Sequence, residues 1–151
     1  MKCVTCDDGQ MMRSAVEIRR EVGDHVFIAT VPGHRCNACG EVQLEGADIA
    51  RFEREVARTL AESGVASGDA FRWMRKALDL RAIDVAELFS VTPETISRWE
   101  TGRVDPDRSA LALLGLMVMD QARGSTATAD SLRARVRATP LAKRVEIKLA
   151  S

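Results

Sequence analysis

The sequence has no tyrosine, two tryptophans and four phenylalanines among its 151 residues, too few rings for a surface that stacks single-stranded bases. It has no excess of either charge. Its 22 basic and 22 acidic side chains cancel, so no global field draws it to nucleic acid or to an anionic membrane, and any such binding has to be local. It has no long apolar run either: the longest charge-free apolar stretch, Ala110 to Met119, is about half of the ~20 residues needed to span a bilayer. Met1-Lys2-Cys3 does not lead into the apolar core of a signal peptide, so the expected compartment is the reducing cytoplasm, with no membrane partner. In that compartment four cysteines read as ligands or reactive thiols and not as disulfides. What the chain does have is apolar content, 46% against 29% charged, enough for at least one core at a length that permits one domain or two small ones.

The neutral total hides an uneven distribution. Residues 1–64 carry 8 basic and 11 acidic side chains, residues 65–124 carry 8 and 9, and residues 125–151 carry 6 and 2, so the tail is the only basic block. Two stretches of small residues, Ser63 to Gly68 and Gly124 to Ala129, look like linkers. They divide the chain into residues 1–64, 65–123 and 124–151.

Cys3-Val4-Thr5-Cys6 and Cys36-Asn37-Ala38-Cys39 are two Cys-x-x-Cys pairs with 29 residues between them. Two residues between thiolates let both sulfurs of one tight turn face a single cation, and two such turns complete a tetrahedral four-sulfur shell. The reading is one structural Zn2+ per chain on Cys3, Cys6, Cys36 and Cys39. Four thiolates leave no open position for a catalytic water. A redox dithiol is the rival, disfavoured because neither pair opens a helix in a βαβ pattern; His34 in place of one cysteine is a further alternative. Gly9 and Gly40 give backbone amides room to approach the sulfurs. Something folded must return the chain across the gap, and Val16-Glu17-Ile18 with Val26 to Val31, turning at Gly23-Asp24, predict a hairpin. From Gly46 to Ser63 the recurrence of Ile49, Phe52, Val56 and Leu60 predicts a helix. Its apolar stripe is expected to cap the hairpin, since so small a domain needs both metal and helix.

Between the linkers the period is helical. Phe71, Met74 and Leu78 mark one helix, and Val85, Ala86, Leu88 and Phe89 a short second one. Thr92-Pro93 announces a third, a hydroxyl N-cap followed by proline at the first helical position, and Gly102 ends it. Ile96 and Trp99 form its buried side, which leaves Glu94, Thr95, Ser97 and Arg98 facing away. Glu100 reads as a structural residue before the turn. A short helix, a tight turn and a third helix with a polar outward face fit a major groove.

The run Leu80 to Gly102, most specifically Ile96-Ser97-Arg98-Trp99-Glu100-Thr101-Gly102, resembles the Cro/repressor (XRE) helix-turn-helix. Together with the two Cys-x-x-Cys pairs, the order resembles the MqsA (YgiT)-type antitoxins over residues 1 to about 122. The fold class implied is α+β: a small zinc-bound hairpin-and-helix domain followed by an all-α Cro/repressor-like domain. The resemblance implies a non-enzymatic antitoxin that binds a toxin through its zinc domain and represses its own promoter at double-stranded palindromic operator DNA. Carried over by position, Arg98 is the base reader, with Thr95 and Glu94 at the groove and Thr92 near a phosphate; the bland reading of Arg98 is a surface pair with Glu94. Ala82 stands where the family usually has a glutamine that contacts phosphate. Arg81, Arg98 and Arg103 form a small basic patch that a homodimer would double. The toxin is expected to be small, basic and RNA-cleaving, and to meet residues 1–64, whose side chains sum to −3 before the roughly −2 of a zinc tetrathiolate. An edge position for Val26 to Val31 would add strand pairing. The alternatives are a free-standing regulator whose zinc domain senses metal or oxidants, and a zinc interaction module without specific DNA binding.

A further helix is expected from Asp105-Pro106 onward. It is apolar almost all round between Ala110 and Met119, so one side is assigned to the core and Leu113, Leu116, Met117 and Met119 to a dimer interface. Beyond Gly124, Leu132, Ala134 and Val136, then Val145, Ile147 and Leu149, alternate with charged residues. That period of two predicts strands or an arm that orders on DNA or partner, a disordered basic tail being the other reading.

Overall fold

The first half of the chain alternates inward and outward side chains with period two on either side of a glycine turn, and it folds accordingly. In the computed structural model, which describes residues 1–150, strands β1 (Met11–Val22) and β2 (His25–Cys36) pair antiparallel from Met11 opposite Cys36 to Val22 opposite His25. Gly23-Asp24 is the turn, with Gly23 at φ +57°. Val16, Ile18 and Val22 are buried, and Phe27, Ala29 and Val31 share their face. Strand β3 (Val42–Leu44) pairs with β2 only from Gly33 to Arg35. Among the described residues the outer edge of β2 between Val26 and Pro32 is therefore unpaired.

Six helices follow: α1 (Gly46–Ser63), α2 (Gly68–Ala77), α3 (Ala82–Leu88), α4 (Pro93–Glu100), α5 (Arg108–Ala122) and α6 (Ala127–Val136). The α1 stripe does not serve chiefly as a cap on the hairpin. It touches β2 along one flank and packs mainly on α2 and α5, because Phe71, Met74 and Leu114 offer it a wider apolar face than a two-stranded ribbon can. One core runs from Ile18 and Val22 through Phe52, Val56 and Leu60 to Ile96, Trp99 and Leu114. The small residues after Ser63 form a tight joint: Gly64 takes the left-handed C-cap at φ 64°, and the Ser67 hydroxyl caps α2 by accepting from the Ala70 amide.

Downstream, the chain departs from its sequence pattern in two places. Helix α5 begins after Asp107, whose carboxylate accepts from the Ala110 amide; Asp105-Pro106 precedes the cap, and Pro106 is buried. The alternation through Leu132, Ala134 and Val136 is not a strand but the helix α6, since Ala, Leu and Arg dominate the segment and favour helix over the β-branched residues a strand prefers. It packs on α5 and α3 while burying no residue fully. Residues 137–150 form neither helix nor strand. Among the described residues no helix is long and apolar enough to cross a membrane.

Candidate functional site

At the open end of the hairpin, two turns with the same backbone plan face each other. In one, Asp7 at φ +56° follows Cys6 and its amide donates to the Cys3 carbonyl at 3.1 Å; in the other, Gly40 at φ +77° follows Cys39 and donates to the Cys36 carbonyl, also at 3.1 Å. The turns are tied together: the Asn37 amide donates to the Gln10 carbonyl, and the Gln10 amide to the Asn37 side chain. Gly9 lies where a Cβ would collide with the Cys36 sulfur and press on Ala38. Close approach, not backbone conformation, therefore requires glycine there.

The sulfurs of Cys3, Cys6, Cys36 and Cys39 all lie within 4.8 Å of one another. Cys3 and Cys39 stand 3.7 Å apart, and Cys6 and Cys36 3.8 Å. A tetrahedron with metal–sulfur bonds of about 2.3 Å has edges of roughly 3.8 Å, which these two separations match, so the donor set is of a size to hold a zinc-sized ion. His34 is outside the cluster, on β2 opposite Arg13. The turns also prepare the thiolates. Amides of Cys39 and Ala38 donate to the Cys36 sulfur at 3.5 and 3.4 Å and bring its thiol down to about 6. The matching amides of Cys6 and Thr5 lower Cys3. Cys39 has a lowering contact with Glu41, outweighed by burial and the neighbouring sulfurs, and is pushed up to about 12. A set of thiols that cannot all ionise in isolation is one that a divalent cation completes.

The other assembly of expected site residues is the pair α3 and α4. The Thr92 hydroxyl accepts from the Thr95 amide and Pro93 occupies the first turn. Ile96 and Trp99 are buried at 0% and 7% exposure, Trp99 edge-on to Phe71. This leaves Glu94, Ser97 and Arg98 exposed, with Thr95 half-buried. Arg98 pairs neither with Glu94 nor with any other acid among the described residues. Arg103 is likewise exposed and unpaired. Arg81 is engaged: its guanidinium grips Asp84 at 2.9 and 3.0 Å, which draws the Asp84 carboxyl below its usual range.

What positions α4 is a contact the sequence reading missed. Arg75 of α2 binds the Glu100 carboxylate through two nitrogens, both side chains about nine-tenths covered, and its third nitrogen donates to the Leu80 carbonyl. The only signal was that Arg75 falls four residues after Phe71, on the buried flank of α2. Trp73 ties α2 to α1 by donating from Nε1 to the Glu53 carbonyl.

On α5 the four residues expected at a dimer face separate. Leu116 is 52% exposed and Leu113 and Met119 are half-buried, but Met117 is only 5% exposed. Met117 is a correction: the chain's own fold covers it, beside Leu78 and Leu80 and under α6.

A four-cysteine hairpin module in front of a helical one that shares its core defines a mixed α+β protein with a candidate metal site. The model of the antitoxin component of the bacterial toxin-antitoxin system, MqsA, matches residues 1–122, and the chain belongs to that family. Its role is thus that of an antitoxin. No individual curated protein matches the chain.

Proposed function

We propose that this chain is a zinc-stabilised cytoplasmic antitoxin, without enzymatic activity of its own, that binds its toxin through residues 1–64 and represses its own promoter as a dimer. The observation that carries the reading is the co-occurrence, inside residues 1–122 matched by the family, of a zinc-sized sulfur cluster and a capped short helix with Arg98 unpaired on its exposed face. In the repressor role, residues 65–123 act as a helix-turn-helix domain. Helix α4 enters the major groove, Arg98 bridges a guanine O6 and N7, and Thr92, Glu94, Thr95 and Ser97 line the approach with Arg81 and Arg103 toward phosphates. Dimerisation uses Leu113, Leu116 and Met119 on α5, of which Leu116 and Met119 border a groove of 600 Å³ shared with Leu60 and Val65. A two-fold dimer matches a palindromic operator.

For the toxin, the supporting features are the −3 side-chain charge of residues 1–64, the added negative charge of a metal tetrathiolate, and the free β2 edge from Val26 to Pro32. Opposite potentials steer a cationic RNA-cleaving protein, and backbone pairing at the edge then holds it. The test is co-expression of the full chain with its toxin, together with titration of promoter DNA. Growth is expected to be rescued, and Arg98→Ala is expected to lose ~1–3 kcal/mol per half-site with relaxed base preference while still neutralising the toxin. An Arg98→Ala protein with unchanged affinity and selectivity overturns the assignment of α4.

A further inference from the structure

We propose that α6 and the basic segment after it form a second DNA-contact element, which holds phosphates flanking the half-site read by α4. The inference rests on the operator-binding reading above and concerns residues outside those the family model matches.

Charge is the first support. The helical body that must approach DNA carries 8 basic and 9 acidic side chains over residues 65–124, whereas residues 125–151 carry 6 and 2. Affinity for duplex DNA depends largely on phosphate neutralisation, and that body has no surplus with which to supply it. Within the tail, Arg133 and Arg144 have acidic neighbours only at 3.5 and 3.6 Å, and Arg135, Arg137, Lys143 and Lys148 have no ion-pair partner among the described residues. All six are exposed.

Placement is the second, independent support. The α6 helix is anchored at its start, where the Thr128 amide donates to the Asp120 carboxylate of α5 at 2.9 Å. From there α6 runs along α3, where Arg133, Val136 and Arg137 share a cleft with Asp84, Glu87 and Leu88. In a helix-turn-helix the first helix crosses the DNA backbone. Arg133 and Arg137 thus lie beside the element that meets phosphate. A helix with no fully buried residue adds little to the core, yet its position delivers cations to α3. The residues after Val136, at up to ~3.4 Å each, reach ~45 Å, more than one turn of duplex.

The experiment compares the full-length wild type with a full-length variant carrying Arg135→Gln, Arg137→Gln, Lys143→Gln, Arg144→Gln and Lys148→Gln. These positions are exposed, so the fold is retained, and circular dichroism verifies it. Each protein is titrated with a duplex covering only the promoter palindrome and with one extended on both sides, over a range of salt. For the wild type, tighter binding to the extended duplex is expected. The variant should lose that gain, bind roughly tenfold or more weakly, and show a log K against log salt slope shallower by about 2–4 per chain, while keeping its preference for promoter over scrambled sequence. Equal slopes and equal gains for the two proteins overturn the inference while leaving the α4 assignment intact. If the wild type itself shows no preference for promoter DNA, the operator reading fails and this inference with it.

Discussion

At the scale of single residues, the metal site depends on atoms that are absent as much as on the four sulfurs. Gly9 leaves the space that the Cys36 sulfur occupies, so Gly9→Ala forces either that sulfur or the Ala38 turn to move. The expected result is zinc affinity lowered at least tenfold in competition with a chromophoric chelator. Gly46→Ala is the control, because a Cβ there meets open space; wild-type affinity in Gly9→Ala would sink the close-approach argument. The cysteines were legible because ligand spacing is local and its chemistry narrow. The Arg75 and Glu100 contact was not, since the two residues are 25 apart and each alone reads as an ordinary charged position on a helix.

At the scale of elements, that contact decides how α4 is presented. Removing one partner of a largely covered ion pair leaves the other charge without its counter-ion, so Glu100→Gln is expected to cost about 3 kcal/mol of unfolding free energy in urea. A cost below about 1 kcal/mol would show the pair to be incidental. The docking of α6 through Asp120 is expected to respond to pH. The Thr128 amide and hydroxyl hold the Asp120 carboxyl below its ordinary 3.8. A depressed acid stabilises the folded form above its unfolded value, and that contribution disappears as pH falls through the folded one. The Thr128 amide resonance is therefore expected to titrate with a midpoint below 3.8 as α6 loosens, and Asp120→Asn should abolish the titration. A midpoint at or above that value would contradict the hydrogen bond.

On the scale of the whole molecule, the hairpin joins the helical core at its turn and ends in the four-sulfur cluster. Its strands are 12 residues each, so the metal end lies ~36 Å along the ribbon from the turn, where Ile18 and Val22 join the helical core. A two-stranded ribbon of that length is marginal in water without support at the far end, and structural zinc supplies apparent folding free energy on the order of 10 kcal/mol. Cys3→Ser, or chelation of the wild type, is expected to expose the amides of residues 1–12 and 35–44 to rapid hydrogen exchange. Protection in α1, α2 and α5 should persist. Loss of protection in α1 together with the cysteine turns would show instead that α1 depends on the metal, as a self-contained first domain would require.

The sequence by itself determined the four-sulfur cluster, the hairpin with its Gly23-Asp24 turn, and helices α1 and α4 with their ends. In each case the cause is local: ligand spacing, side-chain alternation, the 3.6-residue period, or a cap such as Thr92-Pro93. Only the tertiary structure decided which neighbours the α1 stripe would cover, that Met117 would be shielded while Leu116 stayed exposed, that Arg75 would steer α4 through Glu100, and that the tail would run as a helix along α3. Those outcomes turn on surfaces brought together from distant parts of the chain. An apolar stripe or a basic segment states that it must be matched, and not by what.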